Sequence, residues 1–141
     1  MDETSTFVTS LRSWTPEWLI AIRLALACLL GGLIGIEREL GRHDAGIRTH
    51  ILVAMGACVF TLVAWELYQH IRAIEQPATG DPIRIIEAVT AGAGFLAAGI
   101  IFQSGAKVHG LTTGAGVWTA AAIGVACGAG AYAIAIFTTA I

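Results

Sequence analysis

Long apolar stretches joined by short polar segments limit what this chain can fold into. The first three run over about 18–36, 49–68 and 83–102, and no charged residue occurs in 111–141. A helix needs roughly 20 mainly apolar residues to cross about 30 Å of hydrocarbon. We therefore expect an all-α, polytopic transmembrane helix bundle, with one transmembrane domain over residues 1–141.

The last apolar stretch predicts either one very long span or two short ones. Its glycine-rich step Cys-Gly-Ala-Gly at 127–130 is the natural break, because glycine is the usual residue just past a helix end. This places spans at about 111–126 and 131–141, giving four to five in all. The stretch is still apolar at Ile141, so we expect that the natural protein continues or that this form lacks a downstream part.

Small residues predict where helices approach closely. Ala27, Gly31 and Gly35 recur every fourth residue of the first span, on one helical face. Such a face lets a second backbone come near. The third span carries glycine and alanine on several faces, which predicts that it packs among protein neighbours rather than lipid.

Charge is concentrated at the junction between the first two spans. Only 13% of the chain is charged. The residues concerned are Glu37, Arg38, Glu39, Arg42, His43, Asp44, Arg48 and His50. Solvated side chains at a membrane–water boundary are the ordinary interpretation, and a docking surface is the alternative. Clustered arginines favour the cytoplasm, so we expect this loop inside and the N-terminus outside.

The sequence gives no support for an enzyme or a bound cofactor. The spacing of the junction acids and histidines matches no standard zinc or calcium motif, and the arginines between them would repel a cation. Gly92-Ala-Gly94-Phe-Leu-Ala97 matches a dinucleotide fingerprint, but no strand precedes it. No nucleophile–histidine–acid set is apparent, and a net charge of −2 does not favour a nucleic-acid partner.

Three ionisable residues lie within the predicted spans at similar depth: Arg23, Glu66 and Glu87. Such groups are costly in a membrane and usually face protein or water. One interpretation is structural, with Arg23 and Glu87 forming an ion pair inside the bundle. The other is a cation-attracting vestibule at the outer entrance of a small ion channel or transporter.

Several motifs in one order resemble the MgtC/SapB family. The first is RLALACLLGGLIGIERELGRHDAGIRTHILVAMGACVFTLV, beginning at Arg23. The others are Asp81-Pro82-x-Arg84-Ile85, Gly92-x-Gly94-Phe95-Leu96-x-x-Gly99-x-Ile101, and Gly110-Leu111-Thr112-Thr113 followed by Trp118. Glu87 departs from the pattern, because the family usually carries a neutral glutamine there.

The resemblance implies a five-span, multi-pass protein of the bacterial inner membrane. It implies a regulatory or interaction role linked to magnesium limitation, acid or intracellular stress, including survival in macrophages. Partners would be the lipid bilayer and other membrane proteins, with the rotary ATP synthase as one candidate, and a homo-oligomer is also possible. The residues expected to carry this role are Glu37, Arg38, Arg48 and Thr49 at the junction, with Gly92, Gly94, Thr112 and Thr113 in the bundle.

The predicted topology can be tested with single cysteines at Arg42 and Thr79, in a background lacking the native three. We expect an impermeant thiol reagent added to intact cells to label position 79 and not position 42, because the arginine-rich loop is predicted to be cytoplasmic. Labelling after membrane permeabilisation controls for reactivity. Labelling of position 42 alone in intact cells would reverse the assigned orientation.

Overall fold

A computed structural model of the protein describes residues 13–74, 81 and 83–141. These residues form five helices and one short hairpin, in an all-α bundle, as predicted. The helices are α1 (Glu17–Leu40), α2 (Ile47–Ile74), α3 (Ile83–Ile100), α4 (Leu111–Ala129) and α5 (Tyr132–Ala140). Helix α2 continues to Ile74, past the predicted limit of the second span at 68, and position 79 of the labelling test lies outside the described residues.

Helices α1 to α4 are each long and apolar enough to cross a membrane. At 1.5 Å per residue, α1 is about 36 Å long and α3, the shortest of the four, about 27 Å. The nine residues of α5 cover only about 13 Å, less than half of a bilayer's hydrocarbon.

Helix ends differ from the predicted ones where a glycine or a left-handed residue decides the boundary. α1 continues to Leu40 because Glu-Arg-Glu-Leu contains good helix formers, and the chain then turns at Gly41 and at Arg42, whose φ is 54°. α4 ends three residues later than expected. Gly130 there adopts φ 79°, and Gly130 N and Ala131 N donate to Cys127 O and Ala126 O, a Schellman motif.

The segment expected to be a simple loop at 103–110 forms a hairpin. Strand β1 (Phe102–Ser104) pairs antiparallel with β2 (Lys107–His109), and Gly105 takes a positive φ of 62° in the turn. All six strand residues are exposed. Helix α3 thus ends at Ile100, two residues before the predicted limit.

Helix α4 lies against α1, α2, α3 and α5 and is the most buried helix. The main core cluster joins α1, α2, α4 and α5 through buried apolar side chains: Ala27, Leu30, Cys58, Leu62, Ile123, Ala126, Cys127 and Ala135. Cys58 and Cys127 are buried and Cys28 is half-buried, so all three contribute to packing.

Close packing along the Ala27/Gly31/Gly35 face is confirmed. All three residues are buried. A Cβ at Gly31 would lie 2.8 Å from the His50 carbonyl oxygen and from Ala54 Cβ, and one at Gly35 would lie 2.5 Å from Ile47 Cα. Both distances are too short for carbon, so glycine is required where α1 crosses α2.

The expectation for α3 is wrong within this chain. Only Ala93 and Ala97 are buried on it. No atom lies within 4 Å of a Cβ built at Gly92, Gly94 or Gly99. Most of α3 therefore faces away from the other described helices, and its small residues border open space.

We predict that Gly31→Leu and Gly35→Leu each lower the free energy of unfolding by about 1–3 kcal/mol, since each new side chain meets backbone rather than a movable side chain. Thermal unfolding in detergent measures this. Gly94→Leu is the matched control, since it adds the same group where nothing lies within 4 Å. Equal stability of all three variants would contradict the close α1–α2 contact.

Candidate functional site

The charged junction between α1 and α2 is a short loop held at both ends by hydrogen bonds. Gly41 N donates to Glu37 O, and His43 N donates to Arg38 O at 3.1 Å. The Glu39 carboxylate accepts from Ile47 N at 2.9 Å, so the end of α1 caps the start of α2. This places a negative charge at a helix N-terminus, where it is favourable. The loop is therefore fixed relative to both helices.

Most charged side chains of this junction point into solvent. The exposed ones are Glu37, Glu39, Arg42, His43, Asp44 and Arg48. Thr49 is half-buried at the start of α2. The junction therefore presents both signs of charge on one rigid surface, which we call the junction surface and define as these six exposed residues.

His50 corrects the prediction that the junction histidines are solvated, because it is completely buried. Its Nδ1 lies 2.9 Å from Gly46 O. A carbonyl can only accept, so Nδ1 donates, and in the neutral ring Nε2 presents a lone pair. Within the described residues, His50 Nε2 and Arg38 Nε are buried without a hydrogen-bond partner.

Both nitrogens lie close to Gly116 of α4. A Cβ at this glycine would lie 3.2 Å from His50 Nε2 and 3.8 Å from Arg38 Nε. Arg38 and His50 thus connect the base of the junction surface to the central helix. Sequence reasoning missed this contact. The available signal was the spacing of His50, Ala54 and Cys58, which puts the histidine on the same helical face as small buried residues.

The predicted Arg23–Glu87 ion pair is wrong. The Arg23 guanidinium donates from one terminal nitrogen to Gly128 O at 2.7 Å and from Nε to the Tyr132 hydroxyl oxygen at 3.3 Å. Glu87 is exposed on α3. Equal depth did not ensure contact, because Arg23 faces the end of α4, where unpaired carbonyls attract a cation.

Glu66 also has a local role. Its carboxylate accepts from Trp14 N at 2.7 Å and from Thr15 N at 2.9 Å, just before α1 begins. Arg23, Glu66 and Glu87 therefore occupy three different settings rather than one vestibule.

The remaining predicted residues are not gathered into one site. Thr113 is buried at the start of α4, whereas Thr112 is exposed. Gly92 borders a groove between α2 and α3, and Gly94 lies on the other side of α3. Among the residues that the structure describes, no group of three or more histidine, cysteine, aspartate or glutamate side chains is arranged to hold a metal ion.

The fold defines the class of the molecule, a polytopic membrane protein with four apolar helices of spanning length. Residues 24–141 match the model of the MgtC family, and the chain belongs to this family.

Curated relatives support the assignment. The chain is 44% identical to Protein MgtC of Brucella abortus over 83% of this chain and 45% of that protein. It is 39% identical to the putative magnesium transporter YhiD of Escherichia coli over 87% of this chain and 56% of YhiD. A Haemophilus influenzae protein of uncharacterized function is 37% identical over 99% of this chain and 58% of its own length. The chain thus spans about half the length of these relatives, and no solved structure matches it.

The cap from Glu39 can be separated from surface charge by comparing Glu39→Ala with Glu37→Ala. Each removes one exposed acid of α1, but only Glu39 binds the first amide of α2. We expect Glu39→Ala to lower the free energy of unfolding by about 1 kcal/mol, as loss of a helix cap typically does, and Glu37→Ala to leave it unchanged. Thermal denaturation in detergent measures the stability of both variants. Equal losses of stability in Glu39→Ala and Glu37→Ala would contradict the capping role of Glu39.

Proposed function

We propose that this chain is the membrane-embedded part of a regulatory protein of the bacterial inner membrane, which acts by binding other membrane proteins. The rigid junction surface carries the proposal. A loop capped by Glu39 and joined to α4 through Arg38 and His50 presents charge in a fixed arrangement. Electrostatic complementarity of this kind favours specific partners.

Magnesium limitation, acid or intracellular stress is the proposed setting. Membership in the MgtC family supports the link to magnesium, and one relative is named as a putative magnesium transporter. The rotary ATP synthase is the candidate partner implied by family resemblance. Glu37 and Arg48 are the proposed contact residues, because both are exposed on the junction surface.

A small ion channel or transporter is the alternative function. The contacts of the single chain favour it less. Arg23 and Glu66 hydrogen-bond to backbone groups at helix ends, and the interior between α1, α2 and α4 is filled by Ala27, Cys58 and Ile123. The centre of the bundle is therefore tightly packed in the described part of one chain, which disfavours a conducting path through it.

Affinity capture from native membranes tests the proposal. We expect the tagged chain to co-purify the rotary ATP synthase or another membrane protein in stoichiometric amount. Glu37→Ala and Arg48→Gln should each reduce this recovery severalfold, because both remove charge from the junction surface. Arg72→Gln is the matched control, since Arg72 is exposed at the opposite end of α2.

The alternative predicts a different result. Purified chain in liposomes would then conduct magnesium or another cation, with flux reduced by Glu87→Gln, because this change removes a carboxylate that attracts cations. Such flux, together with unchanged partner recovery in the Glu37 and Arg48 variants, would replace the interaction role with transport.

A further inference from the structure

An apolar groove runs along the open side of the bundle, between α2 and α3. Its volume is about 540 Å³, within the range of small-molecule sites. The floor is Ala121 of α4. The walls include Leu52, Gly56 and Phe60 of α2, and Ile85, Gly92 and Leu96 of α3.

One end of this groove is chemically different from the rest. Ile85 also borders a second pocket of about 300 Å³, which is lined by Arg23, Thr61, Trp65 and Gly128. The groove therefore leads from purely apolar walls to a guanidinium. Tryptophan prefers the headgroup level of a membrane, and Trp65 lies at this same end.

The Arg23 guanidinium at this end is bound by neutral groups. Its two acceptors in the structure are a backbone carbonyl, Gly128 O, and a phenol, that of Tyr132. Neither acceptor carries a full negative charge, and a guanidinium pairs best with a carboxylate or a phosphate. Side chains on a helix point toward its N-terminus, so Arg23 reaches toward the nearby membrane surface at the start of α1.

Among the residues that the structure describes, no acidic side chain borders either pocket. Glu87 follows Ile85 by two residues, about 200° round α3, and so lies on the far side of that helix from the groove. Glu66 accepts two backbone amides ahead of α1. An anion could therefore approach Arg23 without a carboxylate among the pocket-lining residues.

We propose that this groove and the Arg23 pocket together bind one anionic phospholipid. The phosphodiester would accept hydrogen bonds from the Arg23 guanidinium, and one acyl chain would lie between α2 and α3, over Gly56 and Gly92. The apolar length with a single cationic end matches the charge pattern of a phospholipid. An apolar partner helix would match the groove but would not supply an anion to Arg23.

Native mass spectrometry of the full chain in detergent tests this site, with phosphatidylglycerol and phosphatidylcholine as the added lipids. The wild type should bind one phosphatidylglycerol at least several-fold more tightly than phosphatidylcholine, because the choline headgroup adds a positive charge near Arg23. Inorganic phosphate at millimolar concentration should not displace the lipid, since it has no apolar part that can occupy the groove.

Two pairs of variants locate the lipid. Gly92→Leu fills the groove where no atom lies within 4 Å of the new Cβ, and Gly94→Leu adds the same side chain outside it. The first should weaken phosphatidylglycerol binding roughly tenfold and the second should not change it. Arg23→Gln should abolish the preference for phosphatidylglycerol, whereas Arg84→Gln, at an exposed residue that borders neither pocket, should retain it.

Three results would overturn the proposal. They are wild-type affinity in Gly92→Leu, equal binding of the two lipids by the wild type, and displacement of the lipid by inorganic phosphate. If Arg23→Gln fails to fold, as judged by its thermal unfolding, the comparison of the two glycine variants decides alone.

Discussion

The bundle depends on the near contact of three backbones around Ala54 of α2. Its Cβ packs against Gly31 of α1, and its carbonyl oxygen packs against Gly124 of α4. Lipid tails are as apolar as the side chains they would replace, so helices in a bilayer associate through close van der Waals packing. Glycine on both sides of Ala54 supplies this packing, and α1, α2 and α4 are fixed around one point.

Features that depend on neighbouring residues could be predicted from the sequence. The lengths of the apolar stretches gave the four long helices, because membrane thickness sets that length directly. The spacing of Ala27, Gly31 and Gly35 identified the α1 face that packs. The glycines at 128 and 130 marked the end of α4 to within three residues, since glycine readily adopts the left-handed conformation there.

Features that depend on how distant helices are rotated could not be predicted. Depth alone paired Arg23 with Glu87, but depth says nothing about the direction in which each side chain points. The burial of His50 requires Gly116, which lies 66 residues later on α4. The small residues of α3 showed that close approach is possible on several faces, but not which of those faces meets another helix.

The Arg23–Gly128 hydrogen bond has a consequence for how the protein is assembled in the membrane. Arg23 lies six residues, or about 9 Å, into α1, so α4 ends below the level at which α1 begins. The Gly128 carbonyl, near the end of α4, would be costly in lipid without a donor. The donor belongs to α1, which is synthesised before α4, and the α4–α5 turn becomes stable in the bilayer only after docking on it. Biogenesis from the N-terminus to the C-terminus therefore supplies this donor before the Gly128 carbonyl needs it.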